Sequence, residues 1–71
     1  MLEIIKILTF TKESYKANEN DYEIGDINMD DVEKLVNMKF LRKLKATKKS
    51  YGYPEYKITS KGNKLLKKSK N

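Results

Sequence analysis

The sequence predicts a small α+β domain with two main helices, a β-hairpin and a short C-terminal helix, and three observations carry that prediction. Apolar residues recur at helical spacing over residues 2–16 and again from Met29. From Leu41 the period changes to an alternating one, broken by a segment rich in turn formers. Thr59 or Ser60 then stands as a capping residue ahead of a lysine-rich stretch that holds the Leu65-Leu66 pair.

The first helix is expected over residues 2–16, with a face built around Ile4, Ile5, Leu8 and Tyr15. Asn18-Glu19-Asn20-Asp21 should end it, since short polar side chains bond their own backbone in competition with helix. Residues 22–27 look too short for an independent helix and are expected to be mostly irregular, held down by Ile24 and Ile27 in the core. Asn28 is a favourable N-cap, and Asp30 and Asp31 fall in the first turn, where carboxylates meet the positive end of the helix dipole. A helix over residues 29–39 follows. It places Val32, Leu35, Val36 and Lys39 on one side, flanked by Met29 and Phe40, with Asp30, Glu33, Lys34 and Asn37 pointing away.

Leu41, Leu44 and Ala46 are separated by Lys and Arg, the run from Thr47 to Pro54 supplies turn chemistry, and Glu55-Tyr56-Lys57-Ile58 alternates again. That is a hairpin pattern. Gly52 suits a positive φ at the tip, and Pro54, lacking an N–H, belongs at a strand start or an edge. In the closing helix Leu65 and Leu66 face inward among Lys61, Lys64, Lys67 and Lys68, with Lys67 to Asn71 expected to fray. Neither an internal repeat nor a flexible linker interrupts the 71 residues, so one domain over 1–71 is expected, with a stability of a few kcal/mol.

The chain has no cysteine and no histidine. Disulfide staples, thiolate metal sites and Ser-His or Cys-His nucleophile systems are thereby excluded, and the expectation is a cytoplasmic protein that is not an enzyme and needs no cofactor. Asp30-Asp31 is read as helix capping rather than as a catalytic pair, because no glycine-rich phosphate loop or metal cluster accompanies it. The apolar run from Ile4 to Phe10 is interrupted by Lys6 and Thr9 and fits neither a signal peptide nor a membrane span. Charge is distributed unevenly: residues 1–33 hold three lysines against nine carboxylates, whereas residues 34–71 hold thirteen Lys or Arg against Glu55 alone. Such a cationic half attracts a phosphate backbone through counterion release. Those thirteen cations are expected to share one continuous face once the hairpin and closing helix fold together.

Leu35-Val36-Asn37-Met38-Lys39-Phe40-Leu41 resembles the end of a winged-helix recognition helix running into the first wing strand, written in that family as Leu-x-x-x-Gly-aliphatic-aliphatic. Tyr56-Lys57-Ile58-Thr59-Ser60-Lys61-Gly62-Asn63-Lys64-Leu65-Leu66 is similar to its second wing strand and following helix, Tyr-x-Ile-Thr-x-Lys-Gly-x-x-Leu-Leu. The resemblance implies a small winged-helix domain, a helix-turn-helix variant with a β-wing common among prokaryotic, phage and plasmid transcription regulators. Lys39 stands where the family has Gly, so the helix end must accept a left-handed residue that carries a side chain.

Duplex DNA is the expected partner. On the helix, Lys34 and Asn37 are candidates for DNA contact, but Asp30 and Asp31 at its start would repel phosphates. The wing offers Lys43, Lys45, Lys48 and Lys49 around a tip bearing Tyr51 and Tyr53, and it is the stronger candidate. Leu2, Ile7 and Phe10, left over from the expected core face, offer a pairing surface for a homodimer. A second reading stays open at this point, a winged-helix adaptor that presents its acidic N-terminal half to a basic protein. No small-molecule substrate is evident, and two leucines in the lysine-rich closing segment give too little apolar area for membrane insertion.

Overall fold

The computed structural model describes residues 3–49 and 51–69. Among these the chain runs α1 (Ile4–Ser14), β1 (Ala17–Asn18), α2 (Glu19–Ile24), α3 (Met29–Asn37), β2 (Leu41–Leu44), β3 (Glu55–Ile58) and α4 (Ser60–Ser69). The strands form an antiparallel sheet in the order β1-β3-β2. The α+β class, the two main helices, the hairpin and the closing helix are all present, and β1 and α2 are additions to the expected architecture.

α1 buries Ile7, Leu8 and Thr11, while Ile5 is 41% exposed and Tyr15 65% exposed. The buried stripe is therefore set by the spacing 4, 7, 8, 11 rather than by Ile4, Ile5, Leu8 and Tyr15. Tyr15 lies beyond the helix, and Leu2 falls outside the described residues. Ile7 is in the core and the partly buried Phe10 packs against it, so neither is left over from the core as expected.

The polar run that was expected to end one helix starts another. Asn18 Oδ1 accepts from the Asp21 amide at 3.0 Å, and Asp21 Oδ2 accepts from the Asn18 amide at 3.0 Å. This reciprocal pair satisfies two otherwise orphaned donors and opens α2 over residues expected to be irregular. Tyr22, not Ile24, enters the core: Tyr22 is fully buried and Ile24 is 79% exposed, while Ile27 is buried as expected.

Both α2 and α3 end in the same way. Ile27 N–H donates to Tyr22 O and Asp26 N–H to Glu23 O; Phe40 N–H donates to Leu35 O and Lys39 N–H to Val36 O. Those are Schellman motifs, and each places a non-glycine residue in the left-handed region, Asp26 at φ 57° and Lys39 at φ 70°. Lys39 is thus beyond the helix and exposed, not part of its inner face.

At the start of α4 the Thr59 hydroxyl accepts from Gly62 N–H at 3.1 Å and donates to Lys39 O at 2.6 Å, so one side chain caps α4 and also ties it to the end of α3. Leu66 is buried and Leu65 packs against the core. The helix continues to Ser69, and of the tail expected to fray, residues 67–69 belong to it while residues 70 and 71 lie outside the described residues. The core gathers Ile7 and Leu8 from α1, Val32 and Leu35 from α3, Leu41 and Tyr56 from the sheet, and Leu66 from α4. Among the described residues no helix is long and apolar enough to cross a membrane.

Candidate nucleic-acid interface

The register of the hairpin decides which basic side chains share a face. Leu41 pairs with Ile58, Arg42 with Lys57, Lys43 with Tyr56 and Leu44 with Glu55. Directly opposed residues lie on the same side of a sheet and successive residues alternate. Leu41 and Tyr56, both buried, mark the inner face, so Lys43 belongs to that side and Arg42 and Lys57 to the outer one. The thirteen cations therefore do not form one continuous face.

Lys43 has partners inside the molecule. Its Nζ is 3.7 Å from Glu33 Oε1 and 5.9 Å from the Tyr56 ring centroid. The Tyr56 phenol also donates to Glu33 Oε1 at 2.6 Å, which ties the hairpin to α3. Burial, then the hydrogen bond and negative charge of Glu33, push the Tyr56 phenol well above its ordinary range. Behind it the Tyr22 ring meets Tyr56 edge-on at 5.8 Å and Phe10 at 5.6 Å. Thr11 donates its hydroxyl proton to Ile7 O at 2.8 Å and so accepts from the Tyr22 phenol at 2.6 Å. Burial pushes the Tyr22 phenol up to about 12, with the negative charge of Asp21 adding to the shift. Through Glu33 the hairpin is tied to α3, and through Thr11 and Tyr22 α1 is tied to α2.

The tip is built on two left-handed residues, Tyr51 at φ 55° and Gly52 at φ 81°, as expected of Gly52. Tyr51 N–H donates to Lys48 O and Gly52 N–H to Thr47 O, and this folds the turn back on itself. Tyr51 is 88% exposed and Tyr53 also stands in solvent. Pro54 immediately precedes β3, where its missing N–H interrupts no strand bond.

Beside this hairpin runs a shallow groove lined by Lys16, Leu44, Lys45, Lys48, Lys49 and the carboxylate-bearing Glu55. Lys45, Lys48 and Lys49 are thus brought together, while Lys34 and Asn37 are exposed on α3 and do not line it. Lys16 was not among the residues expected there. It arrives because Ala17 pairs with Tyr56 and Asn18 with Glu55, which docks the end of α1 against the hairpin. Nothing in the local sequence signals a two-residue strand.

Tyr15, just before it, adopts φ 65° and ψ −58°, and the Lys16 amide donates to Ser14 O at 2.7 Å. This is a γ-turn of the rare left-handed kind, costing on the order of 1–3 kcal/mol for a residue with a side chain. Lys57 Nζ sits 5.0 Å and Lys16 Nζ 5.8 Å from the centroid of the exposed Tyr15 ring. Lys61 is occupied elsewhere, 5.0 Å from the Phe40 ring centroid and donating to Met38 O at 3.2 Å.

A different polarity surrounds the α2–α3 turn, where Glu3, Asp26, Asn28 and Asp31 line one depression and Glu23 a neighbouring one. Asn28 Oδ1 accepts from Asp30 N–H at 2.8 Å, the N-cap expected there. Among the described residues no group of three or more His, Cys, Asp or Glu is placed to hold a metal ion. In comparisons with known proteins, no family model, no curated protein and no solved structure matches this chain.

Proposed function

We propose that this chain is a winged-helix domain that binds duplex DNA through the phosphate contacts of its basic hairpin, in the manner of a prokaryotic transcription regulator. The observation that carries the reading is the convergence of Lys16 with Lys45, Lys48 and Lys49 on one groove beside an exposed tyrosine tip. Cations drawn from two distant parts of the chain onto one track release counterions together when a phosphate backbone replaces them. The element order supports the same reading. α2 and α3 are joined by Gly25 to Asn28, a connection of the length found in helix-turn-helix units, and the hairpin follows directly.

In this reading the hairpin leads and α3 is subordinate, because Asp30 and Asp31 occupy the end of α3 that would enter a major groove. Tyr51 at the tip suits a minor groove, where its ring contacts sugars and its hydroxyl reaches acceptors. Lys34 and Asn37 add contacts from the exposed side of α3, and Asn37 carries the amide that an adenine edge pairs with.

The test is the salt dependence of duplex binding. K45Q/K48Q/K49Q should lower the slope of log K against log salt by about 2.7 and K34Q by about 0.9, at about 0.9 per phosphate contact. Absence of binding at low ionic strength overturns the reading. The acidic depressions at the α2–α3 turn support the rival, a protein adaptor, and early release from a heparin column together with retention on a basic-protein column would favour it.

A further inference from the structure

Arg42 and Lys57 face each other directly across β2 and β3 on the outer side of the sheet. Like charges opposed in this way repel, and a sheet ordinarily opposes unlike ones. Among the described residues neither is in an ion pair, and Lys57 stands over the Tyr15 ring. Lys16 immediately precedes β1, and its ammonium and that of Lys57 stand at the same Tyr15 ring, 5.8 and 5.0 Å from the centroid. Three cations thus form a row across the sheet, Lys16, Lys57, Arg42, within about 10 Å at the usual interstrand spacing of about 4.8 Å. The strained γ-turn at Tyr15 holds one end of that row, and Arg42 and Lys57 line a shallow depression with Ser60 at the other.

We infer that this row is a second phosphate seat. It lies on the outer sheet face, continuous through Lys16 with the hairpin groove, and takes the backbone of the same duplex after it leaves the tip. The inference rests on the DNA-binding reading and names a contact which that reading does not require. An anion there relieves the cross-strand repulsion, which no ion pair relieves among the described residues. Arg42 offers a planar fork suited to two phosphate oxygens, Lys57 a point charge held in place by the Tyr15 ring, and Tyr15 a hydroxyl donor.

The experiment compares wild type, R42Q/K57Q, R42K/K57R and K48Q/K49Q for binding to one short duplex over a range of salt, with the thermal midpoint of each variant recorded. R42Q/K57Q should lower the salt slope by about 1.8 at about 0.9 per contact, with a midpoint no lower than wild type, and R42K/K57R should keep the wild-type slope. In unmodified protein the amide resonances of Lys16, Arg42 and Lys57 should move on titration with the duplex. Unchanged slope in R42Q/K57Q, or still resonances, overturns the seat; a slope that falls in K48Q/K49Q at the same time leaves the hairpin reading standing. No duplex binding by wild type overturns both.

Discussion

The Tyr56 phenol donates a 2.6 Å hydrogen bond to Glu33 Oε1, and Lys43 reaches the same oxygen from 3.7 Å. One carboxylate on α3 therefore holds two residues that face each other across the hairpin. Y56F removes the donor and keeps the ring, and should cost about 1–2 kcal/mol in urea unfolding, the range for a hydrogen bond to a charged group. K43Q should cost under about 1 kcal/mol, because both members of that ion pair are about half exposed.

The two buried phenols set an alkaline limit. Each holds its proton more tightly in the folded chain than in the unfolded one, whose tyrosines ionise near pH 10. Their contribution is complete below pH 10 and is lost as pH rises through the folded-state values, by up to about 1.4 kcal/mol per pH unit for each group. Helical ellipticity should fall above about pH 10 together with the appearance of phenolate absorbance from Tyr22 and Tyr56. A Y22F/Y56F protein should lose that part of the pH dependence.

Gly62 is fixed by close approach. A Cβ there would run into Phe40 O and lie 2.8 Å from Ile58 Cγ1, and the first of these is backbone that cannot swing aside. G62A should cost about 3 kcal/mol through displacement of α4 from the sheet. T59A, which loses the cap and the bond to Lys39 O, should cost about 1–2 kcal/mol, and T59S should restore most of it. Thermal melts of the three variants check the order.

Lys39 invites the opposite change. Its φ of 70° suits glycine, and relief of about 1–2 kcal/mol of left-handed strain outweighs the added freedom of the unfolded chain. K39G should raise stability by about 0.5–1 kcal/mol with duplex binding lowered by no more than one phosphate contact.

Much of the architecture was legible because it depends on local chemistry. Asn28, Gly52, Pro54 and Thr59 each announce a cap or turn through their own side chain or backbone, and each sits where that chemistry requires. The segment before α3 is ambiguous in sequence because Asn18 and Asp21 act in two ways: the same short polar side chains that disfavour a helix interior nucleate a helix end. Tyr22 displaced Ile24 from the core because its hydroxyl finds Thr11, a partner eleven residues away that no local pattern reveals. Of the candidate interface, Lys45, Lys48 and Lys49 could be read from their place on the hairpin. Lys16, Arg42 and Lys57 could not, since their proximity is created by strand register.

β1 comes from the acidic half of the chain yet closes the sheet formed by the basic half. The two ends of the charge distribution are consequently not separable modules: the first half lacks strands β2 and β3, the second lacks α1, α2 and α3. Expressed as two peptides divided between α3 and β2, they would carry opposite net charge and complementary halves of one interior, the conditions under which fragments reassemble without a covalent link.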